Sequence, residues 1–547
     1  MSLTTRQASA TQDSLLRVFT VPEEKESTLS RIEQEISENL EGFLQSHIVA
    51  VEKDLAEVEK DFADATIPSD PIFVSQQADF LLEKLVAHSV HTASPSFVGH
   101  MTSALPYFML PLSKIMIALN QNLVKTETSK SFTPLERQVI GMLHRLVYNS
   151  DDGFYNTFMH DQNHALGAFC SGGTVANITA LWAARNNAFA PTEDYPGIQK
   201  TGLMGGLLHY GYRGAAILVS ERGHYSLKKT ADVLGLGTDN IIAVPTNDNN
   251  QICLKSLDDK CQELVDNEIK ILALVGVAGT TETGTVDPLN EMADIAEQYN
   301  CHFHVDGAWG APTLFSKKYA PLLAGIERAD SVTIDAHKQL YVPMGAGIVV
   351  FKSPSVLSGV EHHANYIIRK GSKDLGSKTL EGSRPGMAML VHSGLKILGR
   401  SGYELLIEEG INKTHRFAAM IKNHSEFELC NEPTLNILTY RYCPQWVTEH
   451  FKTCDETSRV AINELLNRFT KYLQKIQRGH GKAFVSRTKL TPSYYQYQSI
   501  IVFRVVLANP LTSDDILADI LAEQVLLAND DNEHTFMSQL RALVEAN

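Results

Sequence analysis

Between about residues 165 and 352, short apolar runs rich in β-branched residues alternate with stretches of helical periodicity. The runs lie at 215–220, 240–246, 269–279, 301–308, 331–337 and 345–352. This alternation predicts strands joined by helices, and strands joined in that way form a mostly parallel sheet. Ligands of such sheets bind at the carboxyl ends of the strands. Polar residues that directly follow the runs are therefore the candidates for chemistry.

The chain on either side of this α/β region follows different patterns. Residues 26–44 carry apolar side chains three to four positions apart, which predicts one amphipathic helix on the surface or against a second subunit. After about residue 395, long helical stretches precede a few strands, which predicts a smaller C-terminal α+β domain. We therefore divide the chain into an N-terminal helical extension, a large α/β domain and this C-terminal domain, with the bounds 1–105, 106–395 and 396–547.

Charge and composition exclude several classes of protein. The chain has 48 Lys and Arg against 63 Asp and Glu, a formal charge of −15, whereas a nucleic-acid binder needs a basic face. No apolar run approaches the roughly 18 residues of a membrane span. The seven cysteines are scattered without a C-x-x-C pair, which argues against a metal site or a disulfide framework. The N-terminus lacks the pattern of a secretory signal, so we expect a cytoplasmic protein that binds neither nucleic acid nor membrane.

The run at 331–337 ends in the sequence DAHK, which places His337 and Lys338 before a glycine-containing turn. A lysine in an enclosed site loses hydration, which lowers its pKa and makes its amine a nucleophile toward a carbonyl cofactor. Taken alone, a His-Lys pair at the end of a strand is more often a solvated loop pair.

The run at 301–308 contains HVDGAWG and delivers Asp306 to the end of a neighbouring strand. A buried carboxylate needs a cationic partner, and the protonated ring nitrogen of pyridoxal phosphate is one. Ala308 would then face the cofactor ring, where a small side chain permits close approach. The alternative is a structural aspartate that caps the following helix.

A cradle for a phosphate group is also present in the sequence. The segment AFCSGGTVAN leads through Gly173 into a predicted helix that begins near Thr174. Backbone amides at the start of a helix bind anions, and glycine lets the chain come close to them. The segment is not G-x-G-x-x-G, which argues against a dinucleotide site.

Two further strand ends carry residues suited to an aromatic cofactor. His224 follows the run at 215–220, where its imidazole could stack on the ring. Thr280 follows the run at 269–279, where its hydroxyl could bond a ring substituent. A hydrogen-bonded polar histidine and a threonine-rich turn are the structural alternatives.

In this chain order, the segments SGGTVAN, SERGHYS, AGTTETGTVDP, HVDGAWG and DAHK resemble the group II pyridoxal-phosphate-dependent decarboxylases. This family of fold-type-I enzymes includes the glutamate, cysteine-sulfinate and aromatic amino-acid decarboxylases, and the resemblance runs from about His91 to about Pro510. It implies that Lys338 binds pyridoxal 5'-phosphate covalently, that Asp306 holds the ring nitrogen and that His224 stacks on the ring. It also implies that the phosphate is held by Gly173, Thr174 and His337.

Other segments extend the resemblance to the substrate site. HTASPSFVGHMTSALP resembles the family's substrate-access segment, which implies that Phe97 and His100 lie near the amino acid. IVFRVVLANP implies that Arg504 binds the substrate α-carboxylate, and ALNQNLVKTE implies that Asn122 is a pocket asparagine. Every amino acid offers an α-carboxylate, so discrimination needs another donor. For the side-chain carboxylate we expect His100, supported by Arg369.

The sequence departs from the family pattern in one loop. Many members carry a loop tyrosine that protonates the substrate carbon, but the segment IIRKGSKDLGSKT at 367–379 is short and polar and has no tyrosine. Tyr366 lies directly before this segment and is the candidate proton donor.

The strongest resemblance is to the bacterial members that convert L-aspartate to β-alanine and carbon dioxide for pantothenate synthesis. It is carried by the N-terminal extension and by the segments SFVGHMTSALP, ANYIIRKGSKDLGSKTLEGSRPG and FRVVLANP. We therefore expect a carboxy-lyase that acts on L-aspartate as a homodimer with a shared active site. Glutamate, which would give γ-aminobutyrate, is the alternative substrate, because one methylene changes binding by only about 1–3 kcal/mol, and cysteine sulfinate is the third. Rivals of other classes are an aminotransferase, a carbon-carbon lyase and an inactive homologue that only binds the cofactor.

Overall fold

The largest element of the fold is a seven-stranded, mostly parallel sheet. The computed structural model describes residues 11, 26–363, 372–530 and 535–545 of the chain. The strands of this sheet are β1 Gly167–Cys170, β2 Gly214–Ser220, β3 Ile241–Val244, β4 Ile269–Val277, β5 His302–Asp306, β6 Ser331–Asp335 and β7 Gly347–Phe351. They lie in the order β1-β7-β6-β5-β4-β2-β3, and only β7 runs antiparallel to its neighbours. The predicted α/β fold class and all six predicted strands are confirmed.

Apart from the edge strand β3, the strands of the large sheet are buried on both faces, which explains their continuous apolar runs. Every residue of β2 after Gly214 is buried, and so are the last seven residues of β4. β1 is only four residues long, and sequence analysis identified it as an apolar stretch and not as a strand. A fully buried strand of four residues has neither the alternation nor the length that marks longer strands.

Helices surround this sheet and continue into both ends of the chain. The α-helices of the described residues are α1 Thr28–Glu38, α2 Leu40–His47, α3 Leu55–Asp61, α4 Val74–Phe80, α5 Met109–Leu119, α6 Thr126–Ser129, α7 Phe132–Tyr148, α8 Asp152–Phe158, α9 Gly173–Ala188, α10 Ile198–Tyr210, α11 Ser226–Val233, α12 Leu254–Asp266, α13 Leu289–Gln298, α14 Ala388–Ile397, α15 Gly399–Lys422, α16 Gln445–His450, α17 Glu456–His480, α18 Asp514–Asn529 and α19 Phe536–Glu545. A π-helical segment, Leu81–Val86, continues α4. Short 3-10 segments occur at Thr238–Asn240, Ala311–Phe315, Ala320–Leu323, Ile326–Arg328, Val356–Val360, Leu375–Ser377 and Ser493–Tyr495. None of the helices in the described part of the chain is long and apolar enough to cross a membrane.

The prediction of one amphipathic helix over residues 26–44 is wrong, because the chain forms two helices there. Asn39 separates α1 from α2 with a non-helical φ of −152°. Its side-chain oxygen accepts a hydrogen bond from Gly42 N at 3.0 Å and so caps α2. Asparagine is a favoured N-cap residue because its amide oxygen satisfies a free backbone N–H. The apolar spacing continues across the break, so periodicity alone did not reveal it.

The C-terminal part of the chain contains a second, antiparallel sheet with its own apolar core. Its strands are β8 Phe427–Leu429, β9 Ile437–Tyr442, β10 Ser486–Leu490 and β11 Ile500–Val506, in the order β10-β11-β9-β8. This agrees with the α+β character predicted for this region. Val98, which we assigned to the N-terminal extension, packs in the same core and accepts a hydrogen bond from Val506 N at 2.7 Å. The three domain bounds remain a prediction.

The carboxyl ends of the parallel strands meet at one edge of the large sheet. β5 ends at Asp306, and β6, its neighbour, ends at Asp335, three residues before Lys338. β1 runs parallel to β6, because both are antiparallel to β7, and its end leads directly into α9. The sequence-predicted cofactor residues therefore lie along the same edge.

Candidate active site

A cavity of about 400 Å³ opens at the carboxyl edge of the large sheet. This volume lies within the usual range for small-molecule sites. The sequence-predicted residues that line it are Gly173, Thr174, His224, Asp306, Ala308, His337 and Lys338. The structure thus brings together residues that are spread over more than 160 positions of the chain. Asn177, Arg222, Thr281 and Asp335 also line it and were not predicted.

Asp306 is a buried carboxylate on the cavity wall. Its Oδ2 accepts a hydrogen bond from Asn177 Nδ2 at 2.9 Å, and its Oδ1 accepts one from Ala308 N at 3.2 Å. Both donors are uncharged. A buried carboxylate is stabilised by a cation, and the cavity is where a cationic ring nitrogen would supply it.

Lys338 forms an ion pair with Asp335, a residue that sequence analysis missed. The Lys338 Nζ lies 3.0 Å from the Asp335 Oδ2, and His337 Nε2 lies 3.6 Å from the same oxygen. The Asp335 Oδ1 is buried and has no hydrogen-bond partner among the described residues. An acidic residue at the end of β6, three positions before the lysine, was the available signal, because strand ends are where chemistry gathers.

The predicted phosphate cradle lies where β1 passes into α9. A Cβ atom on Gly173 would lie 2.7 Å from the Asp335 Oδ2, and one on Gly347 of β7 would lie 2.5 Å from the backbone of Gly172. Both positions therefore require glycine. The His337 ring borders the other side of the cradle, because a Cβ atom on Gly172 would lie 3.3 Å from the His337 Cε1. The first N–H groups of α9 face an anion site of this kind.

His224 lines the cavity on the loop that follows β2. Its Nδ1 accepts a hydrogen bond from Ser226 N at 3.3 Å. Burial lowers the pKa of His224, and the nearby Asp306 only partly opposes this effect. The imidazole is therefore neutral near pH 7, and its ring lies 4.2 Å from that of Tyr225, centroid to centroid. Ala308 lines the same cavity.

The expectation that the Thr280 hydroxyl contacts the ring is corrected by the structure. Thr280 is fully buried outside the cavity, and its Oγ1 is bonded to Thr283 Oγ1 at 2.8 Å. The same oxygen accepts a hydrogen bond from Thr285 N at 3.0 Å. The hydroxyl is thus engaged within its own turn. The neighbouring Gly279 and Thr281 line the cavity instead.

Arg504 of β11 is buried behind the cavity wall. Its Nε donates to the backbone oxygen of Thr281 at 2.5 Å, and its Nη1 donates to that of Gly99 at 3.3 Å. Its Nη2 is buried without a hydrogen-bond partner among the described residues. Burial lowers the pKa of Arg504 to about 10, although the charge of Glu282 opposes this shift. The guanidinium is therefore still cationic near pH 7 and has a donor to offer.

The other predicted substrate residues do not line the cavity of their own chain. Phe97 is buried against Phe484, with the rings stacked 4.7 Å apart. His100 is exposed and bonded through Nδ1 to Thr102 Oγ1 at 2.9 Å. Partial loss of hydration of its ring, together with the charges of Arg504 and Lys338, lowers the pKa of His100 although the side chain as a whole is exposed. His100 is therefore near the site without forming its wall.

Asn122 and the loop residues also lie apart from the cavity. The Asn122 Nδ2 donates to Ser383 Oγ at 3.0 Å, and its Oδ1 accepts from Val124 N at 3.1 Å. This amide stabilises a loop and does not reach the cavity of its own chain. Tyr366 and Arg369 lie outside the described residues.

Arg222 is a cationic side chain on the cavity wall that sequence analysis missed. It lies two residues before His224 in the segment SERGHYS. Its Nε is buried and has no hydrogen-bond partner among the described residues. A position after β2 was the signal that could have identified it. The cavity wall therefore carries two cationic groups, Arg222 and Lys338.

Comparisons with known proteins identify relatives over most of the chain. A family model described as the pyridoxal-dependent decarboxylase conserved domain matches residues 60–443. The aspartate 1-decarboxylase of Aliivibrio fischeri is 60% identical over 522 residues, which cover 95% of this chain and 95% of that protein. The crystal structure of mouse CSAD is similar with a TM-score of 0.78 and 24% identity, covering 92% of this chain and 98% of that one.

A bacterial structure shares the same fold. The glutamate decarboxylase domain of a diaminobutyrate-pyruvate transaminase and L-2,4-diaminobutyrate decarboxylase from Vibrio parahaemolyticus has a TM-score of 0.76 and 21% identity. The match covers 95% of this chain and 100% of that one. At these identities the two solved structures establish the fold alone.

Proposed function

Because the chain belongs to the pyridoxal-dependent decarboxylase family, we propose that it removes the α-carboxylate of L-aspartate and releases β-alanine and carbon dioxide. It is a carboxy-lyase that uses pyridoxal 5'-phosphate. The observation that carries the choice of aspartate is the 60% identity with the Aliivibrio fischeri aspartate 1-decarboxylase over 95% of both chains.

The residues around the cavity fit this cofactor. A glycine cradle at the start of α9 suits the phosphate, and the uncharged partners of Asp306 leave its carboxylate free to pair with a cation. When bound, the cofactor supplies an electron-accepting ring for the electrons of the bond that breaks. Gly173, Thr174 and His337 would hold the phosphate.

The side chains of the cavity have separate roles in the proposed reaction. Lys338 would hold the cofactor through its amine, which is paired with Asp335 in this structure. Asp306 would keep a proton on the ring nitrogen. The neutral His224 would pack against the ring and exclude water from that face. Tyr366 is our candidate for returning a proton to the substrate carbon.

Cationic groups near the cavity support an acidic substrate. Arg504 is our candidate for the α-carboxylate, because its Nη2 is an unpartnered donor directly behind the cavity wall, and holding that carboxylate in place would select the bond that breaks. Arg222, on the cavity wall, is suited to the side-chain carboxylate. His100 and Arg369 remain proposed as further donors to that group.

A panel of amino acids tests the proposed substrate. Holoenzyme incubated with aspartate, glutamate, cysteine sulfinate and an aromatic amino acid is expected to release carbon dioxide fastest from aspartate, with β-alanine as the product. A preference for glutamate by more than the roughly tenfold that one methylene supplies would overturn the proposal. Amino-group transfer without carbon dioxide would point to an aminotransferase.

Replacement of Arg504 by lysine is expected to lower kcat/KM for all substrates by a similar factor, about tenfold or more. Lysine keeps the charge but cannot reproduce the fork of donors that a carboxylate accepts. Steady-state kinetics with aspartate and glutamate measure the effect. A loss confined to one of the two substrates would show that Arg504 recognises the side chain.

We also infer a homodimer in the cytoplasm whose subunits share the active site. Large apolar side chains are exposed at Ile115 and Ile117 of α5, and at Tyr225 and Met344 beside the cavity. Exposed apolar patches of this kind mark interfaces. Sedimentation at assay concentrations is expected to give twice the mass of one chain, and an active monomer would contradict the inference.

The proposed product fits a supply of β-alanine for pantothenate. A deletion strain is then expected to need added β-alanine for growth. Normal growth of that strain without β-alanine would contradict this role while leaving the chemistry intact.

A further inference from the structure

A stripe of buried polar side chains lies behind Asp306. His302, His304 and Asp306 alternate along β5 in the sequence HFHVD, so they lie on one face of that strand. Ser331 and Thr333 are the residues of β6 directly beside His304 and Asp306. A central strand of a parallel sheet is usually apolar on both faces. This polar stripe therefore needs an explanation.

Asn177 of α9 connects the stripe to the cofactor site with all four of its hydrogen bonds. Its Nδ2 donates to Asp306 Oδ2 at 2.9 Å and to Ser226 Oγ at 3.1 Å. Its Oδ1 accepts from Thr333 Oγ1 at 2.7 Å and from His304 Nε2 at 3.0 Å. An amide has two donors and two acceptor positions, so this one is complete. A flipped amide would turn its oxygen toward the carboxylate of Asp306.

The partners of His304 fix the position of its proton. Because Asn177 Oδ1 can only accept, His304 Nε2 must carry the hydrogen. Burial lowers the pKa of His304 to about 4, so the ring is neutral and its Nδ1 is an acceptor. Ser331 Oγ, at 2.8 Å, donates to that nitrogen, and His302 Nε2, at 2.7 Å, donates to the serine oxygen.

Every donated hydrogen in this row of side chains therefore points toward Asp306. It runs from His302 through Ser331, His304 and Asn177 to the carboxylate of Asp306. Hydrogen bonds in such a row polarise one another, and this effect is larger where water is excluded. Donors to a carboxylate stabilise its ionised form. At the start of the row, Asp330 Oδ2 lies 3.8 Å from His302 Nδ1.

We propose that His304 is a positioning residue that acts through Asn177 to keep Asp306 ionised and the shared proton on the ring nitrogen of the cofactor. The inference rests on the proposed role of Asp306. Without the His304 donor, Asn177 loses one of the two hydrogen bonds to its Oδ1. The amide can then turn away from the carboxylate, and Asp306 holds the proton of the ring nitrogen less well.

Nitrogen NMR of full-length holoenzyme, reconstituted with cofactor labelled at the ring nitrogen with ¹⁵N, tests this proposal. In His304→Phe, which keeps a flat ring without donors, we expect the resonance to move from the pyridinium position toward that of neutral pyridine. We expect kcat to fall about tenfold, because a change of one pKa unit in the equilibrium that shares the proton between ring and carboxylate is a tenfold change. We expect KM to change less than about twofold. An unchanged resonance would overturn the proposal.

Conservative replacement separates a donor from a packing role. In His304→Gln the side-chain amide can place an N–H where Nε2 was, and we expect it to restore most of the resonance shift and of kcat. If the glutamine variant is as impaired as the phenylalanine variant, the donor is not what matters and the proposal fails. If His304→Phe does not fold, Ser331→Ala carries the test, because it removes the hydroxyl that donates to His304 Nδ1 and so polarises the His304 donor. An unchanged resonance in that folded variant would overturn the proposal.

Two further variants, His144→Phe and Asp306→Asn, serve as the negative and the positive control. His144 is another buried histidine, bonded to Tyr155 OH at 2.9 Å and to the Phe351 oxygen at 3.1 Å, and it is not part of this row. We expect His144→Phe to leave the resonance unchanged, and an equal shift there would attribute the effect to general destabilisation and refute the proposal. Asp306→Asn should move the resonance most. If it does not, the proposed role of Asp306 fails. If only Asp306→Asn moves it, the role of His304 alone is refuted.

Discussion

Replacement of Lys338 by alanine is expected to abolish the visible absorbance of the bound cofactor and to lower turnover by at least about 10³-fold. Lys338 is the lysine that lines the cavity at the end of β6, and no other residue of the proposed mechanism offers an amine. The change also leaves the buried Asp335 without its cation, which weakens binding of the anionic phosphate. Absorbance spectra, borohydride trapping and carbon dioxide release measure the effects.

Two control variants isolate the covalent role of Lys338. Lys338→Arg keeps a cation beside Asp335 but cannot bind the cofactor carbonyl, so we expect it to be as inactive as the alanine variant. Lys413 is another buried lysine, which donates to the Asn509 oxygen at 3.0 Å, and Lys413→Met should keep the cofactor absorbance. A chromophore that borohydride still traps in Lys338→Ala would refute the assignment.

The second large effect is expected from Asp306→Asn. Asparagine fits the same space but has no negative charge, so it cannot hold a proton on the ring nitrogen. We expect the variant to retain the cofactor, because the phosphate cradle and Lys338 are unchanged, and to lose about 10²- to 10³-fold in kcat, the scale of one electrostatic contact in a closed site. Cofactor stoichiometry and steady-state kinetics separate the two effects.

A buried aspartate outside the cavity provides the matched control for Asp306. Asp287 accepts hydrogen bonds from Ile252 N at 2.8 Å and from Val277 N at 2.9 Å. Burial raises the pKa of Asp287 to about 6. Asp287→Asn is expected to lower the melting temperature and to leave the cofactor spectrum unchanged. Full activity of Asp306→Asn would mean that its carboxylate is only structural.

The fold could be predicted from the sequence because strand composition and strand ends are local features. Six strands of the large sheet were visible as β-branched runs, and the family resemblance is confirmed by the family match over residues 60–443. Placing Asp306 and Lys338 together needed only the rule that ligands gather where parallel strands end. The break at Asn39 was missed, because an N-cap inside a continuing apolar pattern leaves the periodicity unchanged.

The details of the site depend on tertiary contacts that a linear pattern does not contain. Thr280 and Thr281 are neighbours with similar side chains, and only the fold of their turn decides which one lines the cavity. Asp335 and Asn177 were missed for a related reason. Both stand in segments that carry the family resemblance, SGGTVAN and DAHK, but each acts by a contact to a predicted residue, Asp306 or Lys338, that the segment alone does not show.

The close contact between Gly172 and Gly347 has a consequence for the order in which the protein matures. β1 and the start of α9 are synthesised before β6 and β7, which the cradle needs before it can close. Arg504 follows much later, on β11. The nascent chain therefore acquires its phosphate site well before its carboxylate-binding arginine. We therefore expect cofactor capture during translation only in chains already extended past β7, and substrate recognition only in chains that include β11.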